Sequence, residues 1–66
     1  MQFQLNGKPE QSTKPYSFLK LLEKYQLKAE QVAVARNGEV LLRSQLDQIE
    51  IEEGDEIEIF HAVGGG

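Results

Sequence analysis

The sequence predicts an α+β fold in which one mixed sheet of four to five strands is covered on one face by one main helix. Three observations predict it. Apolar residues alternate with polar ones at both ends of the chain and in its middle, which is the period of a half-buried strand. One stretch switches to helical spacing. The dipeptide Asn-Gly occurs twice, at Asn6-Gly7 and Asn37-Gly38, each time between alternating segments. Both central residues of a tight type I′ hairpin turn need positive φ, which Asn and Gly tolerate best. At 66 residues there is room for one small domain and no separate substrate domain.

Met1, Phe3 and Leu5 share one face of the first segment, with Gln2 and Gln4 on the other. After Asn6-Gly7 a second strand runs through Pro9 to Ser12, and Pro9, having no amide proton for a ladder, places it at a sheet edge or leaves it paired on one side only near its start. From Thr13 onward Phe18, Leu21, Leu22 and Tyr25 fall at i, i+3, i+4 and i+7, one stripe of a helix. Ser17 directly before Phe18 is an N-cap residue type, with Pro15 at the first helical position as the alternative start. Val32 to Arg36 reads as a central strand that turns at Asn37-Gly38 into Val40 and Leu42. Ser44 to Gln48 is a polar connection anchored by Leu46, and Ile49 and Ile51 alternate with Glu50 and Glu52 as a short strand. Glu53-Gly54-Asp55 turns the chain into a last strand, Ile57 to Ala62. Two hairpins flanking a helix, with the last strand between the first and third, make a β-grasp, or ubiquitin-like, roll. Its expected core is Phe3, Leu5, Val32, Val34, Val40, Ile57 and Ile59, facing Phe18, Leu21, Leu22 and Tyr25 of the helix. The expected division is a domain over residues 1–63 and a glycine tail over 64–66.

Composition excludes several classes of function. There is no cysteine, so neither a disulfide framework, a thiolate metal site nor a thiol nucleophile is available. Seven Lys+Arg against eleven Asp+Glu give a net charge of −4, which opposes binding to phosphate backbones or anionic lipid. No apolar run approaches the ~18 residues of a membrane span, and the N-terminus lacks the pattern of a secretory signal. The expectation is a cytoplasmic protein with no nucleic-acid or membrane partner.

Candidate chemistry is sparse. His61 is the single histidine and has no evident orienting partner in the sequence, so its reading as a packed or solvated residue outweighs a catalytic one. The carboxylates Glu50, Glu52, Glu53, Asp55, Glu56 and Glu58 lack the spacing of a calcium loop and read as a solvated face that could dock a basic partner. No metal site is expected. The remaining candidate is the end of the chain. Val63-Gly64-Gly65-Gly66 reaches ~13 Å past the fold if extended at ~3.3 Å per residue, with nothing in the sequence to tie it down. Terminal glycines read equally well as a frayed end. A tail without Cβ atoms can, however, enter a channel too narrow for any side chain and present its carboxylate there. Phe60 and Ala62 point away from Ile57 and Ile59, toward the sheet face the helix leaves open, with Val63 at the root of the tail. An aromatic side chain exposed there is a docking surface for a partner.

The stretches Met1 to Gly7, Leu21-Leu22, Val32-Ala33-Val34, Arg36-Asn37-Gly38, Arg43-Ser44, Glu53 to Ile59 and Val63 to Gly66 together resemble the ThiS family of ubiquitin-like sulfur carriers of thiamine biosynthesis. The resemblance covers nearly the whole chain. It departs at Leu42, where the family commonly has proline. It implies a protein co-substrate instead of an enzyme. An adenylyltransferase of the ubiquitin-activating (ThiF) type would adenylate the Gly66 carboxylate with ATP, and a sulfur donor protein would convert it to a thiocarboxylate. A thiazole synthase of the ThiG type would then take the sulfur. Gly66 would bear the sulfur, Gly64 and Gly65 would give access, and Phe60, Ala62 and Val63 would dock the partner. No bound cofactor is implied, since ATP belongs to the activating partner, and the free chain is expected to be a monomer. Rival readings are a carrier for molybdopterin synthesis or tRNA thiolation, a ubiquitin-like protein modifier, and an interaction domain with an idle tail.

Overall fold

The computed structural model describes residues 1–61. Five strands form one sheet: β1 (Gln2–Leu5), β2 (Lys8–Gln11), β3 (Val32–Arg36), β4 (Glu39–Val40) and β5 (Glu56–His61), in the order β2-β1-β5-β3-β4. The last strand therefore lies in the centre, parallel to β1 and antiparallel to β3, as expected of a β-grasp roll. Pro9-bearing β2 is an edge. The expected boundary after residue 63, and the far end of the last strand at Ala62, fall outside the described residues.

The helix α1 (Phe18–Lys24) begins where the sequence places it. Ser17 is extended, and its hydroxyl oxygen accepts from the Lys20 amide at 3.1 Å, satisfying one of the unpaired donors of the first turn. The helix ends with Gln26 in the left-handed region, φ 60°, where the Gln26 and Leu27 amides donate back to Glu23 and Leu22. This is the double closure that satisfies the last carbonyls of a helix. Phe18, Leu21 and Leu22 are fully buried against Phe3, Val34, Leu46, Ile51 and Ile57. Fully burying each such side chain contributes roughly 1.5–3 kcal/mol, so this compact cluster is what holds a small sheet under one short helix.

Both hairpin asparagines do more than turn the chain. Asn6 and Asn37 have φ 52° and 51°, as the turns require. In addition, the Asn6 side-chain oxygen accepts the Ile59 amide at 2.9 Å, and that of Asn37 accepts the Glu56 amide at 2.9 Å. Each carboxamide continues a backbone ladder where its own strand turns away, so β5 is held from both flanks.

The structure corrects four expectations. Val40 is 67% exposed and not in the core. The two-residue turn pairs Arg36 with Glu39 and Ala35 with Val40, so Val34 faces Leu41 across the ladder and Val40 takes the open face with Ala35. Tyr25 is the helix C-cap, 41% exposed, with its hydroxyl donating to the Glu10 carboxylate. Ile49 to Glu52 makes a single bridge, Ser17 to Glu50, in place of a short strand, although Ile51 is buried. Asp55, expected on a solvated face, is 5% exposed. Its carboxylate accepts from the Glu52 amide at 2.8 Å and the Asn37 side-chain amide at 3.2 Å, and it pairs with Arg36 Nε at 3.1 Å. A buried carboxylate is tolerable only with partners of this kind.

Candidate functional site

The parity of β5 divides its side chains. Ile57 is buried beneath the helix and Ile59 partly so, whereas Glu56, Glu58 and Phe60 stand on the uncovered face. Phe60 is 50% exposed. Its neighbour across the ladder is Ala33, and the β3–β4 register, continued past Val40, sets Leu42 on the far side of Ala33. Leu42, like Val40, is 67% exposed. Ala33, Val40, Leu42 and Phe60 thus form one apolar patch bounded by the exposed carboxylates Glu56 and Glu58.

Sequence reasoning found Phe60 and missed Val40 and Leu42. The signal was present, because a two-residue Asn-Gly turn fixes the pairing of every residue around it. The carboxylates do not converge: no group of three His, Asp or Glu side chains that could hold a metal ion occurs among the described residues. Glu52 is drawn instead to Arg36 Nη2 at 3.2 Å. His61 is exposed, opposite Val32, beside an open groove lined by Leu5, Lys8, Tyr25, Leu27 and Ile59. No helix is long and apolar enough to cross a membrane among the described residues. Ala62, Val63, Gly64, Gly65 and Gly66 lie outside the described residues. The described part of the central strand ends with Phe60 and His61, at the border of the apolar patch.

Comparison with known proteins agrees with this architecture. The model of the ThiS family matches residues 3–66. The sulfur carrier protein ThiS of Bacillus subtilis (strain 168) is 41% identical over 64 residues, which is 96% of this chain and 97% of that protein. A thiazole synthase of Magnetococcus marinus is 35% identical over 66 residues, all of this chain but 20% of that protein. The crystal structure of a thiamine biosynthesis protein (ThiS) from Geobacter metallireducens superposes with a TM-score of 0.85 at 35% identity, covering 100% of both chains.

Proposed function

The chain belongs to the ThiS family, and from that premise we propose that its Gly66 carboxylate is the group that carries sulfur for thiazole formation. It is a sulfur carrier protein of thiamine biosynthesis. A carboxylate resists a sulfur nucleophile until one of its oxygens becomes part of a leaving group. In the activating step a Gly66 oxygen attacks the α-phosphorus of ATP held by an adenylyltransferase of the ThiF type, and pyrophosphate departs. A sulfide equivalent from a sulfur donor protein then adds to the acyl carbon, and AMP departs. The resulting thiocarboxylate holds nucleophilic sulfur on a protein that has no cysteine. Gly64 and Gly65 lend the arm its narrow cross-section.

The observation that carries this reading is the place of Phe60. A glycine tail supplies reach but little affinity, and Phe60 stands in an apolar patch on the strand that precedes the tail in the sequence. Phe60, with Ala62 and Val63 following it, docks the partner while the glycines reach the reagent. A partner of the thiazole synthase type is supported by the Magnetococcus protein, in which a segment similar to the whole of this chain is part of a thiazole synthase.

Phe60→Ala is expected to lower kcat/KM for activation by about tenfold or more, since aromatic anchors dominate such interfaces. The thermal midpoint should stay within a few degrees of the parent, because half of the ring already meets solvent. Pyrophosphate exchange with the matched adenylyltransferase reads the first quantity and a circular-dichroism melt the second. Unchanged activation kinetics would remove Phe60 from the docking surface.

A further inference from the structure

The chain holds the same reactive dipeptide twice, and the fold treats the two copies differently. Asparagine is a thermolabile residue, least protected before glycine, where no Cβ keeps the next backbone nitrogen from the carboxamide carbon. Asn6-Gly7 and Asn37-Gly38 occupy matching turns, with asparagine φ 52° and 51° and glycine φ 81° and 87°. A Cβ at either glycine would meet nothing within 4 Å. Both glycines line one open hollow of about 220 Å³ beside β5, so water reaches the two turns alike. Among the described residues neither glycine amide donates to an acceptor. The backbone ties match as well: the Asn6 amide donates to the Ile57 carbonyl at 2.8 Å, and the Asn37 amide to the Glu56 carbonyl at 2.7 Å.

The carboxamides differ. Each side-chain oxygen accepts one β5 amide at 2.9 Å, that of Ile59 at Asn6 and that of Glu56 at Asn37. The Asn37 side-chain nitrogen also donates to Asp55 Oδ1 at 3.2 Å. That carboxylate is buried and is itself fixed by the Glu52 amide and Arg36 Nε. Among the described residues the Asn6 side-chain nitrogen has no such partner. Closing a ring onto the next nitrogen turns the side chain back on its own backbone, so the carboxamide must leave the partners it holds elsewhere. Asn6 gives up one bond and Asn37 two, the second to a carboxylate, which is the stronger kind.

We propose that Asn6 is a site of spontaneous deamidation in the folded protein and that Asp55 shields Asn37 from the same reaction. The Gly7 nitrogen bonds to Asn6 Cγ and gives its proton to water. The Cγ–Nδ2 bond breaks, and the nitrogen takes a proton from water and leaves as ammonia. Water then adds to one carbonyl of the cyclic imide and opens it, to aspartate or to isoaspartate. Nothing is oxidised or reduced. In the isoaspartyl product the backbone runs through the former side chain, which adds a methylene to the turn and draws the acceptor away from the Ile59 amide. Phe60 is the next residue, so the lesion loosens β5 where it carries the apolar patch.

The full chain is incubated at neutral pH and physiological temperature, and fragmentation follows conversion at each asparagine. Asn6 should convert about tenfold or more faster than Asn37, the ratio set by one further charge-assisted hydrogen bond broken on the way to the barrier. In denaturing urea neither side chain keeps its partners, and the two rates should coincide. The purified isoaspartyl product should exchange its Ile59 amide about tenfold faster than the parent, while the Glu56 amide, still held by Asn37, exchanges as before. Equal rates in the folded chain overturn the proposal. So does a ratio that survives urea, which would trace to neighbouring residues in the sequence, and an Ile59 amide that exchanges as in the parent would overturn the loosening of β5.

Discussion

A chain lacking Gly66 should lose sulfur loading by about 10²-fold or more, since a misplacement of 1 Å at a reacting centre can cost that much and one residue shortens the arm by ~3.3 Å. The shortened chain still ends in a glycine carboxylate, so the loss would report position and not chemistry. Gly66→Val separates a second requirement. It keeps the length and the carboxylate but adds a branched side chain that a channel shaped for glycine excludes. Both variants should melt like the parent, because the buried core cluster among the described residues runs from Phe3 to Ile57. Intact mass after incubation with ATP, a sulfur donor and the matched adenylyltransferase reads loading directly. Fragmentation must place the increment on the C-terminal residue, because replacing oxygen by sulfur adds nearly the same mass as oxidising Met1 to its sulfoxide. A shortened chain loaded as readily as the parent would show that the position of the carboxylate is not read, and the carrier mechanism at Gly66 would fall.

Most of the fold was legible because its signals are local. Period-two alternation in β1 and β5, one helical stripe and two Asn-Gly turns leave few arrangements for so short a chain. The helix start was legible from Ser17, whose hydroxyl does cap it. What escaped depended on pairings remote in sequence. Val40 looked like core because it is a β-branched residue near a buried strand, yet its face is set by the register with Ala35. Tyr25 continued the helical stripe, but the helix ends there and Glu10, on β2, engages its hydroxyl. The exposed apolar patch was half legible for the same reason: Phe60 follows from the parity of its own strand, whereas its apolar neighbours Ala33 and Leu42 come from pairing two other strands beside it.

Asp55 is the sharpest case, since in the sequence it is one acidic residue among six and in the fold it is the one that is buried. Asp55→Ala should destabilise the domain by roughly 3 kcal/mol, toward the lower end of the cost of removing one partner from a buried pair, because Arg36 keeps Glu52. The loss is compound. The Glu52 amide and the Asn37 side chain lose their acceptor, which loosens the turn before β5 and the turn after β3 together. Arg36, whose guanidinium lies 5.7 Å from the centre of the buried Phe18 ring, is left with an exposed carboxylate as its anion. For a domain of this size total stability is about 3–10 kcal/mol, and each kcal/mol shifts the midpoint by roughly 4–8 °C. A fall of about 12–24 °C follows. Glu58→Ala is the matched control, an exposed carboxylate on the same central strand, and should move stability by no more than about 0.5 kcal/mol. If the two variants melt alike, Asp55 is not the tie between the turns. If they part as expected, the acidic run before the tail holds two kinds of carboxylate: one that sets the strand in place, and others left free to meet a partner.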